Sequence, residues 1–141
     1  MASAIYPSAK LSLANGTLNW TATAFNVALL DTATYTYSVA HNFFDDVLAG
    51  EIVGEGYTHT GTVLVSQAIT ESPAGTAMFD ATDITWPAAT ITSGAAVVFL
   101  LRGGAHSADD LVAYIDFGGN KVSTAVDFKI QWAGTGIVTI T

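Results

Sequence analysis

Three histidines, His41, His59 and His106, are the first side chains to weigh as general bases or metal ligands in this 141-residue chain. None is spaced from another as two ligands on one helical face would be, and no cysteine is present to complete a zinc set. Each is therefore read as a structural or solvent-exposed residue. The acids come as neighbours, Asp45-Asp46 and Asp109-Asp110. Adjacent side chains diverge on a helix or a strand, so neither pair is expected to share one proton or one ion. Asp80-Ala-Thr-Asp83 has the length to curl around Ca²⁺ but lacks the acidic loop pattern of an EF-hand, and is read as an Asx-type turn. A glycosidase pair of distant carboxylates is a guess that any chain with 12 acids permits. Serine has no Gly-x-Ser-x-Gly elbow. No Gly-x-Gly-x-x-Gly or Walker sequence follows a strand to cradle phosphates. Trp20, Trp86 and Trp132 each end a strand-like stretch, where core packing is favoured over a sugar-stacking platform. The expectation is a chain with no catalytic residue, no cofactor and no metal site.

The elements that would position these residues follow from periodicity. From Asp127 to Thr141 the chain alternates, with Phe128, Ile130 and Trp132 facing one way and Lys129 and Gln131 the other. That is the period of half-buried antiparallel strands. Residues 1–16 are expected to form a short helix over Ile5 to Ala14, closed by Asn15-Gly16, or an extended N-terminal arm. Leu18–Trp20 and Phe25–Leu30 read as strands, the second with Phe25, Val27 and Leu29 on one face. Phe43, Phe44, Val47 and Leu48 share a helical face, predicting either a short surface helix near Asn42–Leu48, with Ser38 as N-cap and Gly50 at its end, or an ordered loop anchored by the two Phe rings. Thr62–Ile69 alternates, with Val63, Val65 and Ile69 on one face. Ala77–Phe79 and Asp83–Trp86 are short strands, the second ended by Pro87. Ala95–Leu101 is apolar on both faces and reads as a central strand. Leu111–Phe117 places Leu111, Ala113, Ile115 and Phe117 together, and Gly118-Gly-Asn120 reads as a hairpin turn. Many short strands with turn signals between them predict a single all-β domain over 1–141, an antiparallel β-sandwich or jelly roll with one or two short helices. Its core is expected to comprise Phe25, Val27, Leu29, Val98, Leu100, Ile115, Phe128, Ile130 and Trp132.

Composition narrows the function classes. Apolar residues make up 50% and charged residues 11%, which excludes disorder and suggests that other chains cover part of the surface. The net charge is −8, and the four basic residues, Lys10, Arg102, Lys121 and Lys129, are scattered. No basic patch can neutralise a row of phosphates, so neither nucleic acid nor an anionic membrane is an expected partner. The first residues lack a basic segment followed by an apolar one, and the longest apolar run is too short to span a bilayer. Synthesis in a cytosol is expected. The Asn15-Gly-Thr17 and Asn19-Trp-Thr21 triplets are then accidents of polar turns rather than glycosylation sites.

Several stretches, in their order along the chain, carry a resemblance. They are Tyr6-Pro-Ser-Ala-Lys10; Phe25-Asn-Val-Ala-Leu-Leu-Asp-Thr32 with Tyr35-Thr-Tyr37 and Ala40-His-Asn-Phe-Phe-Asp-Asp46; Phe79-Asp-Ala-Thr-Asp-Ile-Thr-Trp86; Leu111-Val-Ala-Tyr-Ile-Asp116; and Phe128-Lys-Ile-Gln-Trp132. Together they resemble a family of small virion structural proteins of tailed bacteriophages. The resemblance implies a non-enzymatic capsid decoration, or cement, protein made in the host bacterial cytoplasm and located on the outer head surface of the virion. Its implied partners are the major capsid protein and itself, as a homotrimer. A tail, baseplate or fibre component is the alternative within the virion, and a carbohydrate-binding module the alternative outside it. The expected contact residues are Ile5, Tyr6 and Pro7, within an arm running from Met1 to Lys10, together with Phe43 and Phe44.

Overall fold

Alternation and β-branched residues do yield an all-β chain, and every paired strand is antiparallel to its neighbour. The computed structural model describes residues 3–22 and 24–141. In chain order the elements are β1 (Ala4–Ile5), α1 (Pro7–Ala14), β2 (Phe25–Leu30), β3 (Thr62–Val63), β4 (Ala68–Glu71), β5 (Ala77–Asp80), β6 (Ile84–Leu100), β7 (Leu111–Ile130) and β8 (Val138–Ile140). Short 3-10 turns occupy Phe44–Asp46, Leu48–Gly50 and His106–Ala108. The larger sheet runs β1-β7-β6-β2-β3, and the smaller runs β4-β5-β8.

The centre of the larger sheet is buried on both faces, as the apolar run Ala95–Leu100 requires, and β2 is buried throughout, including Asn26. On one face, Phe25, Val27 and Leu29 pack with Ala96, Val98 and Leu100. Trp20, Phe79, Trp86, Phe128, Ile130 and Val138 complete that core, so the smaller sheet leans on it through Phe79 and Val138. Ile115 and Trp132 pack at its margin. On the other face, Ala28, Leu30, Ala95, Val97 and Phe99 meet Tyr6, Tyr35, Phe44, Val47, Leu111 and Tyr114.

The dominant feature is one long hairpin of β6 and β7, turning at residues 101–110 and kept from flattening by register shifts. These shifts overturn three local readings. Pro87 does not end a strand; β6 continues through it because the register slips between Trp86 and Ala89, where a missing N–H is tolerated. Gly118-Gly-Asn120 is not the hairpin turn. Ala95 pairs with Asp116 and Ser93 with Lys121, so the glycines, at φ +71° and +136°, loop the surplus residues out as a bulge. Leu111 and Ala113 do not share a face. Val98 pairs with Ala113 and Phe99 with Leu111, so the extra residue Val112 sends Leu111 to the second core and Ala113 to the first.

Other readings also change. The α1 helix forms with Pro7 in its first turn and Asn15 at its end, as expected. The expected helix over Asn42–Leu48 is replaced by two 3-10 turns. Asp46 Oδ2 accepts the backbone N–H groups of Asn42 and Phe43 at 2.8 and 3.1 Å, which competes with helix formation there. Ser38 Oγ accepts only the Ala40 N–H, closing a local turn. Leu18–Trp20 is not a strand, although Leu18 and Trp20 are buried. Val63, Val65 and Ile69 face outward while Leu64 faces inward. Two residues of β3 pair with β2, and Ser66 at φ +56° then reverses the chain before β4.

Four phenols are held neutral by this packing. Burial, first of all, pushes Tyr6, Tyr35, Tyr57 and Tyr114 above the ordinary tyrosine value; Tyr35 adds to the effect on Tyr6, Glu51 to that on Tyr57 and Asp116 to that on Tyr114. The folded chain keeps protons that the unfolded chain releases above about pH 10. Their contribution to stability is thus complete below that pH and is lost as pH rises further. In an alkaline titration, most tyrosinate absorbance is expected to appear in one step with unfolding. Gradual ionisation near pH 10 with native circular dichroism retained would contradict this.

Candidate functional site

The five expected contact residues divide into two kinds. Ile5 is half-buried and pairs with Ala113, and the Tyr6 N–H donates to the Val112 carbonyl at 3.0 Å. Tyr6 is fully buried, with its hydroxyl 2.9 Å from that of Tyr35. The partner that covers Tyr6 is the chain's own β7 and tyrosine cluster, because β1 adds to the sheet edge and turns the ring inward. Phe44 is likewise fully buried, stacked on Phe99 with ring centres 4.0 Å apart. Tyr6 and Phe44 are therefore core residues, not contact residues. Pro7 and Phe43 remain exposed. Met1 and Ala2, which begin the expected arm, lie outside the described residues.

Several titratable groups are bound to neighbours in the same chain. Tyr35 Oη lies 2.9 Å from His41 Nδ1. Asp109 is fully buried; it accepts the Arg102 N–H at 2.8 Å and sits 2.8 Å from His106 Nδ1. Its neighbour Asp110 turns away to the Arg102 guanidinium, so this acid pair diverges as its spacing requires. Burial works to raise the Asp46 carboxyl, but the Asn42 and Phe43 N–H groups and nearby His41 outweigh it and hold it low. Asp83 does not curl towards Asp80. Its carboxylate accepts the Trp132 N–H at 3.0 Å and meets Lys129 Nζ at 3.1 Å, which together hold it below the usual carboxylate range.

Linear spacing missed one juxtaposition. The rings of His59 and His106 stand 5.7 Å apart, on the loop before β3 and the turn between β6 and β7. No local pattern marks this pair, because the pairing of β2 with β6 brings the two segments together.

An exposed apolar surface runs along β7. A groove of about 680 Å³ opens beside it, lined by Phe117, Val122, Val126, Phe128, Trp132 and Ile137 among others. Val122 is 69% and Val126 58% exposed. Trp132 is fixed at the rim by Asp83 and by its indole N–H, which donates to the Thr82 carbonyl at 3.1 Å. Val122 also borders a second, more polar groove that ends at the almost fully exposed Val53. Among the described residues, β1 is the only strand on the outer edge of β7, and it covers Ala113 and Tyr114 alone. Beyond Phe117 that edge has no strand partner, and free backbone donors and acceptors on an edge are a template for another chain. No sequence signal marked Val122 or Val126; Ser123, which lies between them, turns inward and leaves them on the exposed side.

Trp20 and Trp86 are buried, which removes two of three aromatic platforms for a sugar. Comparison with known proteins adds no family, since no family model, curated protein or solved structure matches the chain.

Proposed function

We propose that this chain is a non-enzymatic structural protein of a tailed-phage virion, acting as a decoration protein on the outside of the head. The observation that carries an assembly role is the unpaired outer edge of β7 beside an apolar groove. A strand edge supplies directional hydrogen bonds, and the groove supplies area to bury, so the two together suit contact with a neighbouring subunit. The head location rests on the resemblance of the ordered segments. A decoration protein that binds only the assembled lattice stabilises it by mass action, and many weak contacts act together. A closed trimer would present this edge once per subunit around the symmetry axis. An acidic surface keeps such a protein off the packaged DNA.

Removal of residues 1–10 does not test this cleanly, because it strips Tyr6 and Ala9 from the core. Val122→Asp with Val126→Asp places two charges on the exposed strip and leaves the core intact. The purified protein is expected to bind undecorated heads, and the double variant to bind about tenfold or more weakly at unchanged thermal stability. Replacing His41, His59 and His106 together is expected to leave head binding intact. Label confined to tails would assign the protein there instead. Absence of virion binding by the intact chain would reject the reading.

A further inference from the structure

We propose that His59 and His106 form a two-imidazole binding site for a divalent transition-metal ion of the zinc class. Each ring is backed by a buried carboxylate on its Nδ1 side. His106 Nδ1 is 2.8 Å from Asp109 Oδ2, and the Asp109 side chain is fully buried. His59 Nδ1 is 2.5 Å from Glu51 Oε2, and the Glu51 side chain is 3% exposed. Glu51 Oε2 is buried and accepts no hydrogen bond among the described residues, whereas Oε1 takes the Tyr57 hydroxyl and the Thr60 N–H, both at 2.6 Å.

In the tautomer whose Nδ1–H faces the neighbouring carboxylate, each Nε2 presents a lone pair. Carboxylate–histidine pairs of this kind orient and strengthen an imidazole as a metal ligand. Two imidazoles on one tetrahedral ion, with bonds of about 2.0–2.1 Å, have ring centres roughly 5 Å apart. The observed 5.7 Å is within a small rotamer adjustment of that. His59 is 62% exposed, while His106 makes a T-shaped contact with the Phe44 ring, centres 5.1 Å apart. Imidazole nitrogen selects zinc, copper or nickel over calcium or magnesium.

Among the described residues no third His, Cys, Asp or Glu completes the shell. Water or a group from another molecule fills the remaining positions. The ion would join the Glu51–Gly61 loop to the turn between β6 and β7, two segments otherwise linked through the sheet beneath them.

Titration of the full chain with Zn²⁺ near neutral pH, followed by calorimetry and histidine ring-proton resonances, tests the site. One ion per chain is expected, with His59 and His106 resonances moving and that of His41 unmoved. His59→Asn and His106→Asn are each expected to abolish binding, and His41→Asn to retain it. Zn²⁺ should raise the melting temperature of the native chain and a chelator should reverse the rise. Glu51→Gln, if folded, should bind roughly 10- to 100-fold more weakly. No binding in large molar excess of Zn²⁺, or binding that survives both His59→Asn and His106→Asn, would overturn the proposal. Neither result bears on head binding, which is measured without added metal.

Discussion

Phe44→Ala is expected to destabilise the isolated chain by about 3–5 kcal/mol, the range for removing a fully buried aromatic ring. The ring stacks on Phe99 at an interplanar angle of 13° and receives the edge of His106. Its backbone N–H donates to the Asp109 carbonyl at 2.9 Å, which pins the 3-10 turn to the start of β7 and limits collapse into the cavity. The loss should appear in chemical denaturation of the protein alone, without any partner. Phe43→Ala provides the contrast, because Phe43 is 36% exposed and its ties to Asp46 and Asp110 run through the backbone, which the substitution keeps. It is expected to change stability by no more than about 1 kcal/mol. Similar losses for the two variants would mean that the second core is not closed by the 3-10 turn as described.

Gly61→Ala is expected to destabilise by at least about 3 kcal/mol, combining a left-handed backbone with severe overpacking. Gly61 has φ +72°, and a Cβ there would lie 1.8 Å from the Val27 carbonyl oxygen and 2.8 Å from the Ala28 Cα. Both obstacles belong to the backbone of the central strand β2, so neither can rotate away. The chain must separate β3 from β2 or release the turn closed by the Gly61 N–H to the Thr58 carbonyl at 2.9 Å. Release would also disturb Asn26, a buried amide whose Nδ2 donates to the Thr60 carbonyl at 3.1 Å. Gly134→Ala is the matched control, with ordinary φ and no atom within 4 Å of the added carbon. It is expected to stay within about 0.5 kcal/mol of the parent in the same denaturation experiment. A mild effect at Gly61 would mean that β3 does not pack on β2 in this register.

The local patterns settled a good deal. The unbroken apolar run of Ala95–Leu101 and the alternation of Phe25, Val27 and Leu29 identify the centre of the sheet, because a strand covered on two faces carries apolar side chains on both. Pro7 and Asn15-Gly16 bracket helix α1, since proline favours its first turn and Asn-Gly its exit. The expected core residues lie in or against one cluster for the same reason of period. The assembly surface was harder. Tyr6 and Phe44 are apolar near chain features that suggest contact, yet each finds its cover inside the fold. Which chain buries a ring depends on where β1 and the 3-10 turn dock, and that is a matter of long-range pairing.

Register was decided only by tertiary structure. Pro87, Gly118-Gly119 and the Leu111–Ala113 step each look like an ending or a regular strand when read locally. Each is a place where one long strand gains or loses residues against its partner. A one-residue slip reverses every side chain beyond it, so the faces of β7 cannot be read without β6 beside it. The same pairing exposes Val122 and Val126 and brings His59 to His106. Period and punctuation are properties of neighbours in sequence, whereas register, edge exposure and the meeting of two loops arise from residues far apart that come together only when the sheet closes.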